Sequence, residues 1–172
     1  HGGQALWDEL GAGHNIKPLL AGNTGAQMGG WFGREIAGLE DLNGLRFRIP
    51  GLGGEVLRRL GAEAVNLPGG EIFPALQSGK IDGTEWLGPW NDLAFGFHRV
   101  VRNYYYPGFH EPGTALALGL NKKLWDGLGE SQRQIISHAC AAENAITLAE
   151  FDTMNAAALE ILTYRHGVQL RR

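Results

Sequence analysis

From Ser131 to His166 the chain contains no glycine and no proline, although glycine occurs 27 times in its 172 residues. Within that run Ile135, Ile136, Ala139, Ala142, Ile146, Ala149, Met154 and Leu159 recur near helical spacing, which predicts one long helix. At 1.5 Å per residue it would extend roughly 50 Å, while a small domain is only ~30 Å across. A helix of that length has to kink or serve more than one lobe. This favours two joined lobes, one of them incomplete in this chain.

Elsewhere the glycines are dispersed, punctuating short apolar runs, which is the rhythm of an α/β fold. The spacing predicts a helix end over His1 to Gly13 and a strand over Ile16 to Leu20, broken by Pro18. A glycine-rich crossing from Ala21 to Phe32 follows. Further strands are expected over Leu45 to Ile49, Ala64 to Leu67, Lys80 to Trp86, Val100 to Tyr106 and Ala115 to Leu120. Helices are expected over Gly54 to Leu60, Glu71 to Gln77 with Pro74 in its first turn, Asp92 to Phe97 and Lys122 to Leu128.

A formal net charge of −3 gives no electrostatic reason to expect nucleic acid. No apolar stretch approaches the ~20 residues needed to cross a bilayer. The chain opens on His1 and reads as beginning in mid-protein. Cys140 is the single cysteine, so no internal disulfide can form, and its surroundings suit a buried helix position rather than a nucleophile.

Arg48 closes the segment Gly44-Leu45-Arg46-Phe47-Arg48-Ile49-Pro50, where a strand runs into a glycine turn at Gly51 and Gly53. A guanidinium fixed by a strand end can receive a carboxylate through two parallel hydrogen bonds. A second segment, Gly79 to Trp86, reads as a buried strand ending in a carboxylate and an aromatic. Glu85 there needs a partner to offset its desolvation, and either Arg48 or a cation would serve. Gln27 in the glycine-rich crossing and Glu111 in the turn Pro107 to Gly113 are further oxygen donors. The set Gln27, Glu85 and Glu111, with no His or Cys pattern beside it, suits Na⁺, Ca²⁺ or Mg²⁺ rather than zinc. The six histidines show no metal-ligand spacing, and no nucleophile elbow is present. The residues point to binding without turnover.

In combination, the segments Gly22 to Phe32, Gly44 to Pro50, Gly70 to Gln77 and Gly79 to Trp86 closely resemble the periplasmic solute-binding subunit of tripartite ATP-independent periplasmic (TRAP) transporters. The branch is the one that binds 2-oxo acids and related monocarboxylates, and the resemblance runs from about Ala21 to Arg171. It implies a two-lobe α/β fold, with hinge-crossing strands and a long lobe-spanning helix, that closes on its ligand.

By the same resemblance, Arg48 pairs with the ligand carboxylate. Gln27, Glu85 and the backbone carbonyl of Trp86 hold a bridging Na⁺ or Ca²⁺, with Glu111 contributing. Asn23, Gln27, Trp86 and Tyr106 contact the ligand, the run Tyr104 to Tyr106 walling the pocket. The resemblance further implies a periplasmic location, delivery to TRAP membrane subunits, and a homodimer for the full-length protein. His110 departs from the pattern, which carries an aromatic there. A full family member is nearly twice this length, so residues 1–172 are expected to be a central fragment holding parts of both lobes.

Two readings compete. A C4-dicarboxylate binder of the same family would need a second cationic anchor, with Arg34, Arg46 and Arg102 as candidates. A metal-dependent 2-oxo acid lyase or aldolase would need a general base, for which His110 is the candidate.

Overall fold

A computed structural model describes residues 2–172; His1, the first residue of the expected N-terminal helix, lies outside the described residues. The elements begin with α1 (Gly3–Ala12), β1 (Ile16–Asn23), β2 (Gly30–Phe32), β3 (Arg46–Arg48), α2 (Gly51–Arg59), β4 (Glu63–Val65), α3 (Gly69–Gln77) and β5 (Gly83–Thr84). They continue with α4 (Pro89–Phe95), β6 (Asn103–Tyr105), β7 (Ala115–Asn121), α5 (Lys122–Gly127), α6 (Glu130–Glu160) and β8 (Gln169–Arg171). The chain divides into two compact units, residues 1–24 with 114–151, and residues 25–113 with 152–172.

The first unit is built on an antiparallel ribbon in which β1 pairs with β7 from Ile16↔Asn121 to Asn23↔Ala115. Pro18 was expected to break the strand, yet β1 runs through it and on into the glycine-rich crossing. The Pro18 carbonyl accepts from the Gln4 side chain at 2.8 Å. It therefore points away from β7, and the proline nitrogen faces the same outward side, where no ladder bond is lost. At the end of the ribbon, Thr24 N–H donates to the Thr114 carbonyl and Thr114 N–H donates to Thr24 Oγ1, both at 3.0 Å.

The second unit carries a six-stranded mixed sheet in the order β4-β3-β5-β2-β6-β8. Strand β3 runs parallel to β4 and β5, while β2 is antiparallel to β5 and β6. Its apolar core forms two clusters. One gathers Trp31, Ile72, Phe97, Tyr104 and Leu162, the other Leu45, Phe47, Ile49 and Leu57. Strand β2 had not been expected inside the glycine crossing. It forms there because Trp31 stacks on Tyr104 at 3.9 Å and Phe32 on Phe47 at 4.7 Å.

Several expectations are corrected. Pro74 is inside α3, not in its first turn. It is tolerated because the carbonyl it cannot serve belongs to exposed Gly70. The strands around residues 80–86 and 100–106 are much shorter than expected, since only Gly83–Thr84 and Asn103–Tyr105 find ladder partners. Helix α6 has 31 residues, about 46 Å at 1.5 Å each. It ends in a π-helical turn over Ile161–Arg165. Cys140 is buried on this helix, as expected.

Candidate functional site

Parallel pairing sets the centre of the site. Strands β3 and β5 lie side by side with Arg48 opposite Thr84, so both chains leave the sheet at the same edge. The next residue, Glu85, donates its N–H to the Arg48 carbonyl at 3.1 Å. This brings the two side chains together, and Arg48 Nη1 lies 2.6 Å from Glu85 Oε1. Both are buried, Arg48 6% exposed and Glu85 4%. Arg48 Nε also donates to the Leu67 carbonyl at 3.0 Å, and Nη1 to the Glu85 carbonyl at 3.2 Å. Among the described residues Nη2 carries no hydrogen bond. Burial pushes the Arg48 pKa down from its ordinary value while the Glu85 carboxylate pulls the other way; a guanidinium remains a cation under both influences.

Trp86 follows directly, and the Arg48 guanidinium stands over its ring, 5.2 Å from the centroid. The ring packs on Phe95 at 4.9 Å. A Cβ on Gly69 would come within 2.9 Å of the Trp86 ring edge, so glycine at the start of α3 is what lets the indole lie there. The indole Nε1 is buried with no hydrogen-bond partner among the described residues, and buried Trp N–H groups usually find one.

Gln27 is buried and held by its backbone. Its N–H donates to the Pro112 carbonyl and its carbonyl accepts from Gly108, both at 3.1 Å. The next amide, Met28 N–H, donates to the Leu87 carbonyl at 3.1 Å. Gln27 therefore lies between the loop 108–112 and the turn that carries Glu85 and Trp86. That loop also delivers His110, whose Nε2 is 3.5 Å from Glu85 Oε2. Glu111, next along, is exposed.

Arg48, Glu85, Trp86 and Gln27 are thus gathered in the second unit. Asn23 belongs to the first unit, where its backbone N–H donates to Thr147 Oγ1 at 3.0 Å. Tyr106 lines a separate apolar cavity of about 340 Å³, with Phe32, Leu42, Phe47, Leu57 and Phe109. Of the expected tyrosine wall, Tyr105 lines the same cavity as Tyr106, and Tyr104 does not. Tyr104 is fully buried, its hydroxyl donating to Asp92 at 2.6 Å, and the Tyr105 hydroxyl accepts the Ile36 N–H at 2.7 Å.

Asp92 is the polar residue that sequence reasoning missed. Its carboxylate is fully buried and accepts from Trp31 Nε1 at 2.9 Å, from Tyr104 and from Leu87 N–H at 3.2 Å. Desolvation raises its pKa to about 6, against the three hydrogen bonds that lower it. The sequence signal was available: Trp31 and Tyr104 each bury a donor that needs an acceptor.

The other candidate anchors are committed elsewhere. Arg46 holds Asp82 with two hydrogen bonds, Nη2 to Oδ1 at 2.6 Å and Nε to Oδ2 at 3.0 Å. Arg34 donates to the Asp41 carbonyl and Arg102 to the His166 carbonyl. A cavity of about 630 Å³ surrounds Arg34 and the Arg46–Asp82 pair at the start of β3, away from the strand end that bears Arg48. The geometry of the strand ends favours the Arg48 site, because there both members of an ion pair are buried.

The chain is similar to known proteins in sequence and in fold. Residues 2–172 match the model of the bacterial extracellular solute-binding protein family 7. Over 158 residues the chain is 44% identical to the monocarboxylate 2-oxoacid-binding periplasmic protein of Nostoc sp., covering 92% of this chain and 43% of that protein. A TRAP periplasmic solute-binding protein from Colwellia psychrerythraea, solved with bound calcium and pyruvate, superposes with a TM-score of 0.93 at 40% identity. That match covers 99% of this chain and 52% of the other. One from Pseudoalteromonas atlantica, with bound sodium and pyruvate, gives 0.90 at 39% identity over 99% and 52%. The chain spans about half the length of these relatives. Among the described residues no helix is long and apolar enough to cross a membrane. With the whole described chain matched in sequence and in fold, this protein belongs to the family 7 bacterial extracellular solute-binding proteins.

Proposed function

We propose that the protein is a periplasmic solute-binding subunit that captures a 2-oxo acid such as pyruvate together with a cation, and hands it to the membrane subunits of a TRAP transporter. The observation that carries this reading is the buried Arg48–Glu85 pair beside Trp86.

The pair explains why acid and cation would enter together. An acid anion that takes Arg48 alone leaves Glu85 as a buried, uncompensated carboxylate, and breaking one side of a buried pair costs about 3–5 kcal/mol. If a cation neutralises Glu85 at the same time, both buried charges stay paired. When bound, that cation supplies a fixed positive charge that a carboxylate oxygen and a keto oxygen can chelate together. The donors that suit it are Glu85 Oε2, which faces away from Arg48, the Gln27 amide oxygen and the Trp86 carbonyl, with Glu111 on the adjoining loop. Hard oxygen donors of this kind suit Na⁺ and Ca²⁺. Arg48, released from Glu85, would offer its fork to the carboxylate, with the Trp86 ring against the acid's apolar part.

Support also comes from the relatives, whose solved forms hold pyruvate with calcium or sodium. They speak against the lyase alternative, and the commitments of Arg34, Arg46 and Arg102 speak against a dicarboxylate. Calorimetric titration of the full-length protein with pyruvate, 2-oxobutyrate, lactate and succinate, with and without Na⁺ or Ca²⁺, tests the reading. Binding should require the cation and favour the 2-oxo acids, and Arg48→Lys should weaken it by about 2–5 kcal/mol. Equal affinity after exhaustive removal of both cations would overturn it.

A further inference from the structure

We propose that His98, Arg99, Arg102, Arg165 and His166 form a second anion site within the second unit, one that takes a doubly charged oxyanion of the phosphate or sulfate class. It shares no residue with the Arg48 site and does not depend on the acid–cation reading.

These residues, with Leu93, line a cavity of about 550 Å³. Two short turns build it. A 3₁₀ turn over Phe97–Arg99 follows α4, is anchored by fully buried Phe97, and brings His98 and Arg99. The π-helical turn over Ile161–Arg165 is anchored by fully buried Leu162 and brings Arg165, with His166 next along. Turns of this width are rare and recur at functional sites. Arg102 ties the two together, its Nη1 donating to the His166 carbonyl.

The charge here is uncompensated. The chain has 18 acidic residues against 15 lysines and arginines, yet among the described residues no carboxylate lines the cavity. Arg99, Arg102 and Arg165 enter no salt bridge among those residues. Asp92 on α4 is committed to Trp31, Tyr104 and Leu87. His98 is 5% exposed, and its Nδ1 is buried with no hydrogen-bond partner among the described residues. Its ring lies against that of His166, the centroids 4.2 Å apart. Burial, His166, Arg99 and Arg102 all press His98 toward its neutral form, and no neighbour favours its cation. A buried polar atom left unpaired calls for a group that the protein does not supply. Arginines and imidazoles around a cavity without a carboxylate make that group an anion. Guanidinium forks match phosphate oxygens through paired hydrogen bonds. A bound dianion would also offset the repulsion between the imidazoles, so that each can take up a proton and donate.

The test is calorimetric titration of the full-length protein with potassium sulfate, a dianion at both about pH 8 and about pH 6, values that bracket histidine titration. Acetate is the monoanion control. Sulfate should bind, and more tightly at the lower pH by roughly tenfold, as His98 and His166 take up protons. Arg99→Ala and Arg165→Ala should each weaken sulfate by roughly tenfold and leave pyruvate affinity unchanged. Neither guanidinium holds another part of the fold, so both variants should fold. Inorganic phosphate and glycerol phosphate separate the two sources of this chemistry: tighter binding of the ester assigns the site to phosphate esters, and the reverse to the free ion. Failure of millimolar sulfate and phosphate to bind overturns the proposal, as does acetate binding equally well. Sulfate affinity unchanged in both arginine variants overturns it too, and affinity that does not vary with pH overturns the part given to the histidines.

Discussion

The two units make very different use of similar apolar content. In the second, Trp31, Phe47, Phe97 and Tyr104 are sealed within two clusters beneath a six-stranded sheet. In the first, the hydrophobic residues that reach full burial are Leu19 and Cys140, among the described residues. Strand β7 is exposed at nearly every position, and Leu116, Leu118, Ile135 and Ile146 face solvent. A two-stranded ribbon is marginal on its own. A charged pair can be held buried only where the surrounding elements are over-determined, and this is where Arg48 and Glu85 lie.

The largest effect that would sharpen this contrast is expected at Trp31. It is fully buried, stacked on Tyr104 and bonded to Asp92, so Trp31→Ala should cost about 3–5 kcal/mol in chemical denaturation. A loss below about 1 kcal/mol would mean that the second unit's core is not the stable part.

Asp92→Asn should come next, at about 2–4 kcal/mol, because an amide cannot accept from Trp31, Tyr104 and Leu87 together. It should also change the pH dependence. The folded pKa of Asp92 is raised from 3.8 to about 6, so its stabilising contribution is complete below 3.8 and is lost as pH rises through 6. Between pH 7 and pH 5 this contributes a gain of about 1 kcal/mol on acidification. His98, pushed below its ordinary 6.5 by burial, His166, Arg99 and Arg102, acts in the opposite direction over the same range. The readout is therefore the difference between wild type and variant. Parallel stability curves from pH 7 to pH 5 would rule out a titrating Asp92.

The smallest expected effects are in the first unit. Leu118→Ala should change stability by about 1 kcal/mol or less, since the side chain is already 39% exposed. Amides of β7 should exchange faster than those of β3 and β5. The 172-residue chain should also bind a hydrophobic dye and scatter light through association of this face. A strictly monomeric, dye-silent species would show that the exposed apolar residues are not sticky. The uncovered surface was expected around Leu148, Phe151 and Met154. Leu148 and Phe151 are half-buried, whereas Met154 is exposed as expected, and Ile146 and Ile135 are exposed as well.

Arg48, Glu85 and Trp86 were legible because a strand end followed by glycine leaves few places for a side chain to go, and a carboxylate in such a setting demands a partner. The long helix was legible from the want of glycine and proline. Strand β2 was not, since three residues carry no period, and what makes them a strand is the stacking of Trp31 and Phe32 on residues far away in sequence. The role of Pro18 depended on which side of the ribbon its carbonyl faced. Tyr104 shares a run with Tyr105 and Tyr106, but it turns into the core against Trp31 while the other two line one apolar cavity.

The second unit is discontinuous in sequence, which governs the order in which the chain acquires its structure. Strand β8 pairs in parallel with β6, joining Tyr104 to Leu170, and Leu162 and Val168 complete the larger cluster. The sheet can close only after almost the last residue of this stretch has left the ribosome, with the helical part of the first unit already made in between. Such non-local closure is slow, because loop entropy is lost before contacts repay it. Until then Trp31, Phe97 and Tyr104 lack part of their cover, and the strand edge at β6 stays open to unwanted pairing.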